Sequence, residues 1–302
     1  MQNKRGALED RQTQISTDEE LNQMTRKKMK WWTDWDPLQK YNFVLFIVHL
    51  ILTVAVWIYL HNQIDNQNPI DGLNLDLYDH ILTSGGPNTP LNMFEVVSSK
   101  ANDVSEGEIA NLIAGFFAIT AGFHLLYAFN PSNIYLAAVE NGNNYLRWLE
   151  YAMSATIMIV IIAILSGVKD VKTVFLIATS AIGMIATGQW FETSAGNARW
   201  IPIIVGFLLL GGILLTIYTS FQQRLKEAEA AGFELPNWLS SVIIVTFVFY
   251  ACFGFVPIIN VLFGGMYRKY EYAYLTLSLA SKASLGAFIA YGFGQRVQNP
   301  SP

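Results

Sequence analysis

Tyr274-Leu275-Thr276-Leu277-Ser278-Leu279-Ala280-Ser281-Lys282-Ala283-Ser284-Leu285-Gly286-Ala287-Phe288-Ile289 is the stretch that decides the fold. Continued to Phe293, it reaches the length of about 20 residues that a bilayer-spanning helix needs. One lysine sits near its centre. An ammonium there costs roughly 2.5–3.5 kcal/mol even on the most lenient insertion scale. Such a cost is tolerated when the lysine is paired or when its amine is used chemically. Desolvation disfavours the ammonium form and makes an amine nucleophilic, suited to a Schiff base with an aldehyde. Ser278 lies one helical turn before Lys282 on the same face. Ser281, Ser284 and Gly286 thin the helix around the amine and leave room for a bulky neighbour. Two readings stand at this point: a buried Lys–Glu pair in an ordinary polytopic protein, and a covalent attachment site.

The rest of the chain suits a membrane setting. Of 302 residues, 52% are hydrophobic and only 14% charged, and apolar runs long enough to cross a bilayer recur. The first forty residues are polar and lack the apolar core of a cleavable signal peptide. Cys252, the single cysteine, sits in an apolar run, which leaves no disulfide framework and no thiolate metal site. The sequence holds no repeat, phosphate-binding loop or dinucleotide fingerprint, and nothing in it points to nucleic acid or to an enzyme.

Met1 to about Trp35 reads as a polar tail ending in Arg26-Lys27-Lys28-Met29-Lys30 and Trp31-Trp32, either a membrane-surface anchor or a solvated charge run. Asp36-Pro37 then opens a helix, with a capping residue followed by proline at the first helical position. The spans are predicted at about Pro37–Asn62, Ser105–Phe129, Asn143–Val168, Lys172–Phe191, Trp200–Phe221, Pro236–Phe263 and Tyr267–Gln295. His49 falls in the first, and Thr120 and His124 fall one turn apart in the second. The loop from Gln63 to Val104 is long, with room for a short β-hairpin between Ile70–Leu82 and Asn92–Val97. Ser105-Glu106-Gly107-Glu108 is a capping-box signature. The expected organisation is a tail (1–35), a seven-helix domain (36–296) and a short second tail (297–302).

Seven spans put the termini on opposite sides. The first side carries Lys4, Arg5, Arg11, the Arg26–Lys30 cluster, Lys40, Arg199, Arg268 and Lys269, and the other carries Lys100, Lys169, Lys172, Arg224, Lys226 and Arg296. The positive-inside rule therefore puts the N-terminus in the cytoplasm and makes the long first loop extracellular.

Inside the spans two ionisable residues are complementary, Lys282 on the seventh and Glu150 on the third. Each alone is expensive in lipid, so they are expected to face each other. Arg147, Glu150, Tyr151 and Ser154 share one helical face by their spacing. His49 and His124 can titrate near neutral pH, although a lone membrane histidine more often bonds helix to helix than accepts a proton. Two histidines on separate helices, with no convincing further ligand, do not make a metal site.

Seven spans, a central lysine on the last and a carboxylate on the third form the pattern of microbial rhodopsins. In detail, Ser278-Leu279-Ala280-Ser281-Lys282 and Arg147-Trp148-Leu149-Glu150-Tyr151 resemble the seventh- and third-helix motifs of the heliorhodopsins. His49, His124 and Gly188-Gln189-Trp190-Phe191-Glu192 look like further family positions, and the inverted orientation and long first outer loop match. The resemblance runs from about Asp36 to Arg296. Ala181 departs from it, since the family often has asparagine there.

This resemblance implies all-trans retinal on Lys282 as a protonated Schiff base, with Glu150 as its lone counterion. It implies Ser278 and Tyr151 hydrogen-bonding near that centre, with Trp148 and Ser154 beside them. Phe249, Tyr250 and Phe253 would wall the polyene, with ordinary helix packing as the other reading of each. His49, His124, Arg147 and Glu192 would form a proton-accepting cavity, Glu192 serving as a structural cap or on the proton path. A homodimer and an unidentified signalling partner are also implied. The function expected is a light sensor that does not pump ions efficiently. A passive light-gated proton channel is the alternative, since Glu108 and Glu234 lie near the outer ends of spans two and six. A retinal-free carrier is the third reading, and it would be colourless.

Overall fold

The computed structural model describes residues 33–65, 77–84, 94–102, 104–230, 232, 235 and 237–294, with the hairpin at 77–84 and 94–102 described chiefly as backbone. The basic cluster before Trp35, the terminal tails, Glu234 and Arg296 lie outside the described residues. In chain order the elements are α1 (Pro37–Asp65), β1 (Leu77–Ser84), β2 (Phe94–Asn102), α2 (Glu106–Phe129), α3 (Ile134–Glu140), α4 (Tyr145–Leu165), α5 (Val171–Thr193), α6 (Trp200–Ala230), α7 (Asn237–Phe263) and α8 (Tyr267–Gly294). Seven of these helices are long and apolar enough to cross a bilayer, and only the short α3 is not. The protein is an all-α integral membrane bundle with one two-stranded antiparallel hairpin, β1–β2, in the loop between α1 and α2.

Local chemistry sets the helix ends. The Ser105 hydroxyl accepts from the Glu108 amide at 3.1 Å while the Ser105 amide donates to Glu108 at 2.6 Å, so the capping box opens α2 as its spacing predicts. Asn144 caps α4 and Asp170 caps α5 through side-chain oxygens. α2 stops at Asn130, whose backbone turns left-handed (φ 46°), a conformation asparagine tolerates better than most residues. The Asn130 side chain then accepts from the Tyr135 amide at 2.8 Å and so starts α3 beneath the bundle.

Predicted and observed ends agree within about three residues except in the fifth span. α6 runs nine residues past Phe221, through Gln222-Gln223-Arg224-Leu225-Lys226-Glu227-Ala228-Glu229-Ala230. That segment is polar but rich in strong helix formers, so the helix continues after the apolar run ends. α3 was not expected at all, because its seven residues are too few to show a period.

α1 packs along α2 and α8, α2 along α4, α4 along α5, α5 along α6, and α7 along α8. α4, the third span, lies deepest and has the largest buried share of the seven. The core is polarised. In the half away from the start of α1 it is a continuous apolar mass that includes Ile109, Ile113, Phe116 and Phe117 of α2, Ile159, Ile161, Ile162 and Leu165 of α4, and Leu285 and Ile289 of α8. Outward-facing Ile51, Val54, Phe175, Leu176, Leu208 and Leu215 are more than half exposed, as suits a surface solvated by lipid.

Candidate functional site

Lys282 and Glu150 meet at the centre of the bundle, both almost fully buried. Lys282 Nζ donates to Glu150 Oε1 at 3.1 Å and to Ser278 Oγ at 2.6 Å. The same carboxylate oxygen accepts from Thr120 at 2.8 Å and from Ser154 at 3.3 Å. Three helices thus converge on one ion pair: α8 supplies lysine and Ser278, α4 supplies Glu150 and Ser154, and α2 supplies Thr120. The ammonium also lies 5.3 Å from the Tyr151 ring, whose hydroxyl donates to the Tyr274 carbonyl at 3.0 Å. Paired and hydrogen-bonded, the two charges meet the condition under which burial is tolerable.

A cavity runs from this pair between α4, α5, α6 and α7. It holds about 820 Å³ of free space, its open mouth included. Lys282 and Ser281 form one end, and Trp148, Tyr151, Met184, Phe207, Tyr250 and Phe253 form most of the wall. At Gly188 a Cβ would meet the Trp148 ring at 2.2 Å, so glycine there lets the indole lie flat against α5. Tyr250 and Phe253 line the cavity, and the Tyr250 hydroxyl donates to the Ala155 carbonyl at 2.8 Å. Phe249 does not reach the wall. Cavity-lining residues of α7 recur at 250, 253, 254 and 257, and Phe249 lies about 100° around the helix from Tyr250. Ala181 packs in the apolar core and does not line the cavity.

Polar side chains gather on one side of the ion pair, toward the start of α1, in two groups. In the first, the His49 and His124 rings lie 4.9 Å apart between centroids, tilted by 36°. Asn42 spends its two amide hydrogens on the Leu38 carbonyl (2.8 Å) and the Tyr135 hydroxyl (3.0 Å). Its oxygen is left to face His124 Nδ1 at 2.7 Å, so that nitrogen must carry the proton. His49 Nδ1 faces the Leu45 carbonyl at 2.8 Å and is a donor by the same logic. Both Nε2 atoms are therefore bare bases, buried and without a partner among the described residues.

The second group was only half legible in the sequence. Arg147 pairs with Glu192 and also with Glu271 of α8, neither pairing having been expected. Glu271 is fully buried and further held by Asn144 Nδ2 (2.8 Å) and the Tyr135 hydroxyl (3.3 Å). Burial, and next the Glu271 carboxylate, hold the Tyr135 phenol well above its usual range, so it stays a donor. Arg147 thus belongs to the carboxylates and not to the histidines, and the expected single cavity resolves into two clusters bridged by Asn42 and Tyr135. Glu271 follows Arg268 and Lys269 near the head of the seventh span, where an acidic residue reads as interfacial. Only the fold brings it beneath α3.

Seven helices around a buried lysine–carboxylate pair, with an aromatic cavity leading to the amine, define a membrane protein of the rhodopsin type. The family model for heliorhodopsin matches residues 38–293, and the chain belongs to that family of retinal-based, light-responsive proteins. Two solved structures have similar folds. The transmembrane domain of the Salpingoeca rosetta rhodopsin phosphodiesterase is 12% identical, with a TM-score of 0.61 over 91% of this chain and 89% of that one. A light-driven proton pump from Leptosphaeria maculans is 12% identical, with a TM-score of 0.59 over 88% of this chain and 98% of that one. No curated protein matches the sequence.

Proposed function

We propose that the protein is a light sensor in which Lys282 carries all-trans retinal, Glu150 is its sole counterion, and no net ion transport follows. Retinal, when bound, supplies visible absorption and a light-driven change of shape. The residues present fit it: an amine at the closed end of an aromatic cavity, a carboxylate within hydrogen-bond reach of that amine, and glycine where α5 approaches the wall. Ser278, Thr120 and Ser154 hold the amine and carboxylate in register, and Tyr151, Trp148, Tyr250 and Phe253 confine the ligand.

The observation that carries the sensor reading is the one-sided placement of polar groups. Toward the start of α1 stand His49, His124, Asn42, Glu271, Arg147 and Glu192. In the other half, among the described buried residues, the polar ones are Thr246 and, at the far rim, Ser166 and Arg224. Three turns along α4 from Glu150, where a reprotonating carboxylate would sit in a pump, stands buried Ile161. A proton displaced from the centre goes to and returns from the same side, where the histidine Nε2 atoms offer bare bases. Glu108, invoked for a channel path, is occupied in the α2 capping box.

The reading takes 36–296 as the functional unit, the N-terminus as cytoplasmic, and the assembly as a homodimer engaging a signalling partner, the last two supported by family resemblance. It assigns no catalytic activity. Illuminated cells under voltage clamp test it. We expect no photocurrent at any voltage. A sustained current at zero driving force would show a pump, and one reversing with the proton gradient would show a channel.

A further inference from the structure

The two histidines do not have equivalent surroundings. His49 Nδ1 donates to the Leu45 carbonyl of its own helix, and the bonding ends there. His124 Nδ1 opens a longer chain. It donates to Asn42 Oδ1 at 2.7 Å, Asn42 Nδ2 donates to the Tyr135 hydroxyl at 3.0 Å, and that hydroxyl donates to Glu271 Oε1 at 3.3 Å. Groups that can only accept set its direction. The Leu38 carbonyl, 2.8 Å from Asn42 Nδ2, requires the amide nitrogen on that side and so turns the oxygen to His124. At the other end Glu271 meets Arg147, Asn144 and Tyr135, all of them donors, and accepts from each as a carboxylate. Asn42, His124 and Glu271 are fully buried and Tyr135 nearly so, its ring lying flat on Tyr127 at 4.5 Å. One link comes from each of α2, α1, α3 and α8, so four helices hold the chain in register.

We propose that Asn42 and Tyr135 are positioning residues that present His124 Nε2 as a base and tie the resulting imidazolium to the Glu271 carboxylate. The source of the proton rests on the retinal reading above. In the step an N–H bond at the Lys282 nitrogen breaks and one forms at His124 Nε2. Nδ1 keeps its hydrogen, and no proton travels along the chain. What travels is polarisation: a charged donor strengthens its own hydrogen bond and, through it, the next. Glu271 and Glu192 share the single guanidinium of Arg147, so the far end carries surplus negative charge to oppose the new cation. The other groups around His124 are His49 of α1, Tyr127 of its own helix and Lys282 of α8, and Glu150 of α4 meets α2 one turn away at Thr120. Departure of the proton from Lys282 removes the one charge that repels it.

The test is solid-state nitrogen and proton NMR of the full chain in lipid with isotope-labelled histidine, the signals assigned through His49→Phe and His124→Phe. In the retinal-free protein His124 should be bare at Nε2 and protonated at Nδ1. Tyr135→Phe keeps the ring on Tyr127 and removes the hydroxyl, so the His124 Nδ1 proton should shift upfield as its bond weakens, with the His49 Nδ1 proton unmoved. In the pigment, held under light in the state whose linkage has lost its proton, His124 should carry both ring protons. Tyr135→Phe should lower the ratio of charged to neutral His124 about fivefold, the scale of one hydrogen bond. Glu271→Gln should act in the same sense, and if it does not fold, Tyr135→Phe alone decides. A bare Nδ1, a His124 that stays neutral in light, or a His124 indifferent to Tyr135→Phe would overturn the proposal. Equal shifts at His49 and His124 would overturn it too, by reducing Asn42 and Tyr135 to ties between helices. Absence of a visible band would count against the retinal reading alone, since the retinal-free spectra decide the coupling without colour.

Discussion

On the retinal reading the chemistry turns on Lys282 and Glu150, and each makes a separable prediction. Lys282→Ala removes the amine while leaving an apolar helix, so the protein should insert in the membrane but show no visible band after expression with retinal. A coloured variant that resists hydroxylamine bleaching would end the assignment. Glu150→Gln keeps the shape and removes the charge. The cation of the linkage then loses its partner, so it should give up its proton at a lower pH. The remaining protonated pigment should absorb further to the red, because less positive charge is held at the nitrogen. Unchanged absorption and titration would mean that another group balances the amine. The Lys–Glu pair was legible because lipid makes a lone charge so costly that two must be partners. Glu271 was not legible, because near a helix head the same residue type costs almost nothing in water. Its burial depends on Asn130 turning the chain so that Tyr135 covers it.

The helices were legible for the same solvent reason: a bilayer demands long apolar runs, and seven of them stand out. What the sequence could not show was where a helix continues beyond the lipid, as α6 does, or where seven residues form α3. Registry between helices was also hidden, and it is testable at the contacts that set it. Glu271 ties α8 to α4 and α3, with Arg147 as the common partner of Glu271 and Glu192. Glu271→Ala leaves Arg147 with one carboxylate and a buried gap. We expect a loss on the order of 3 kcal/mol, the low end for breaking a buried pair, seen as a clearly lower thermal midpoint of the dark pigment. A midpoint equal to wild type would show that Glu192 alone suffices. At the α4–α5 contact, Gly188→Ala drives a methyl into the Trp148 ring. The indole must swing toward the cavity, at about 1–3 kcal/mol of overpacking. A shifted visible band or poorer retinal uptake should report it, and an unchanged spectrum would place Trp148 away from the chromophore.

At the scale of the whole molecule the bundle has two unlike halves, and its orientation decides what the asymmetry means. α1, α4, α6 and α8 start, and α2, α5 and α7 finish, on the side that holds Asn42, His124, Arg147, Glu192 and Glu271. If that side is cytoplasmic, light changes the polar network facing the cell interior, which is where a signalling partner can read it. An extracellular polar half would report to the outside and leave the sensor reading without a receiver. The described helix-end cations are balanced, with Lys40, Arg199, Arg268 and Lys269 on that side and Lys169, Lys172, Arg224 and Lys226 near the opposite ends, so the cytoplasmic expectation rests on the basic N-terminal sequence. A direct measurement is therefore needed. Cys252 is the single thiol, so Cys252→Ser gives a clean background. On it, Lys226→Cys, in the last turns of α6, should react with a membrane-impermeant maleimide added to intact cells. Lys269→Cys, at the head of α8, should react only after the membrane is opened. The reverse pattern would invert the protein and move the histidine pair and the carboxylate cluster to the outer face. The buried apolar run Ile159–Leu165 of α4 would stand unchanged, so the test addresses where the signal goes and leaves the question of pumping to the voltage clamp.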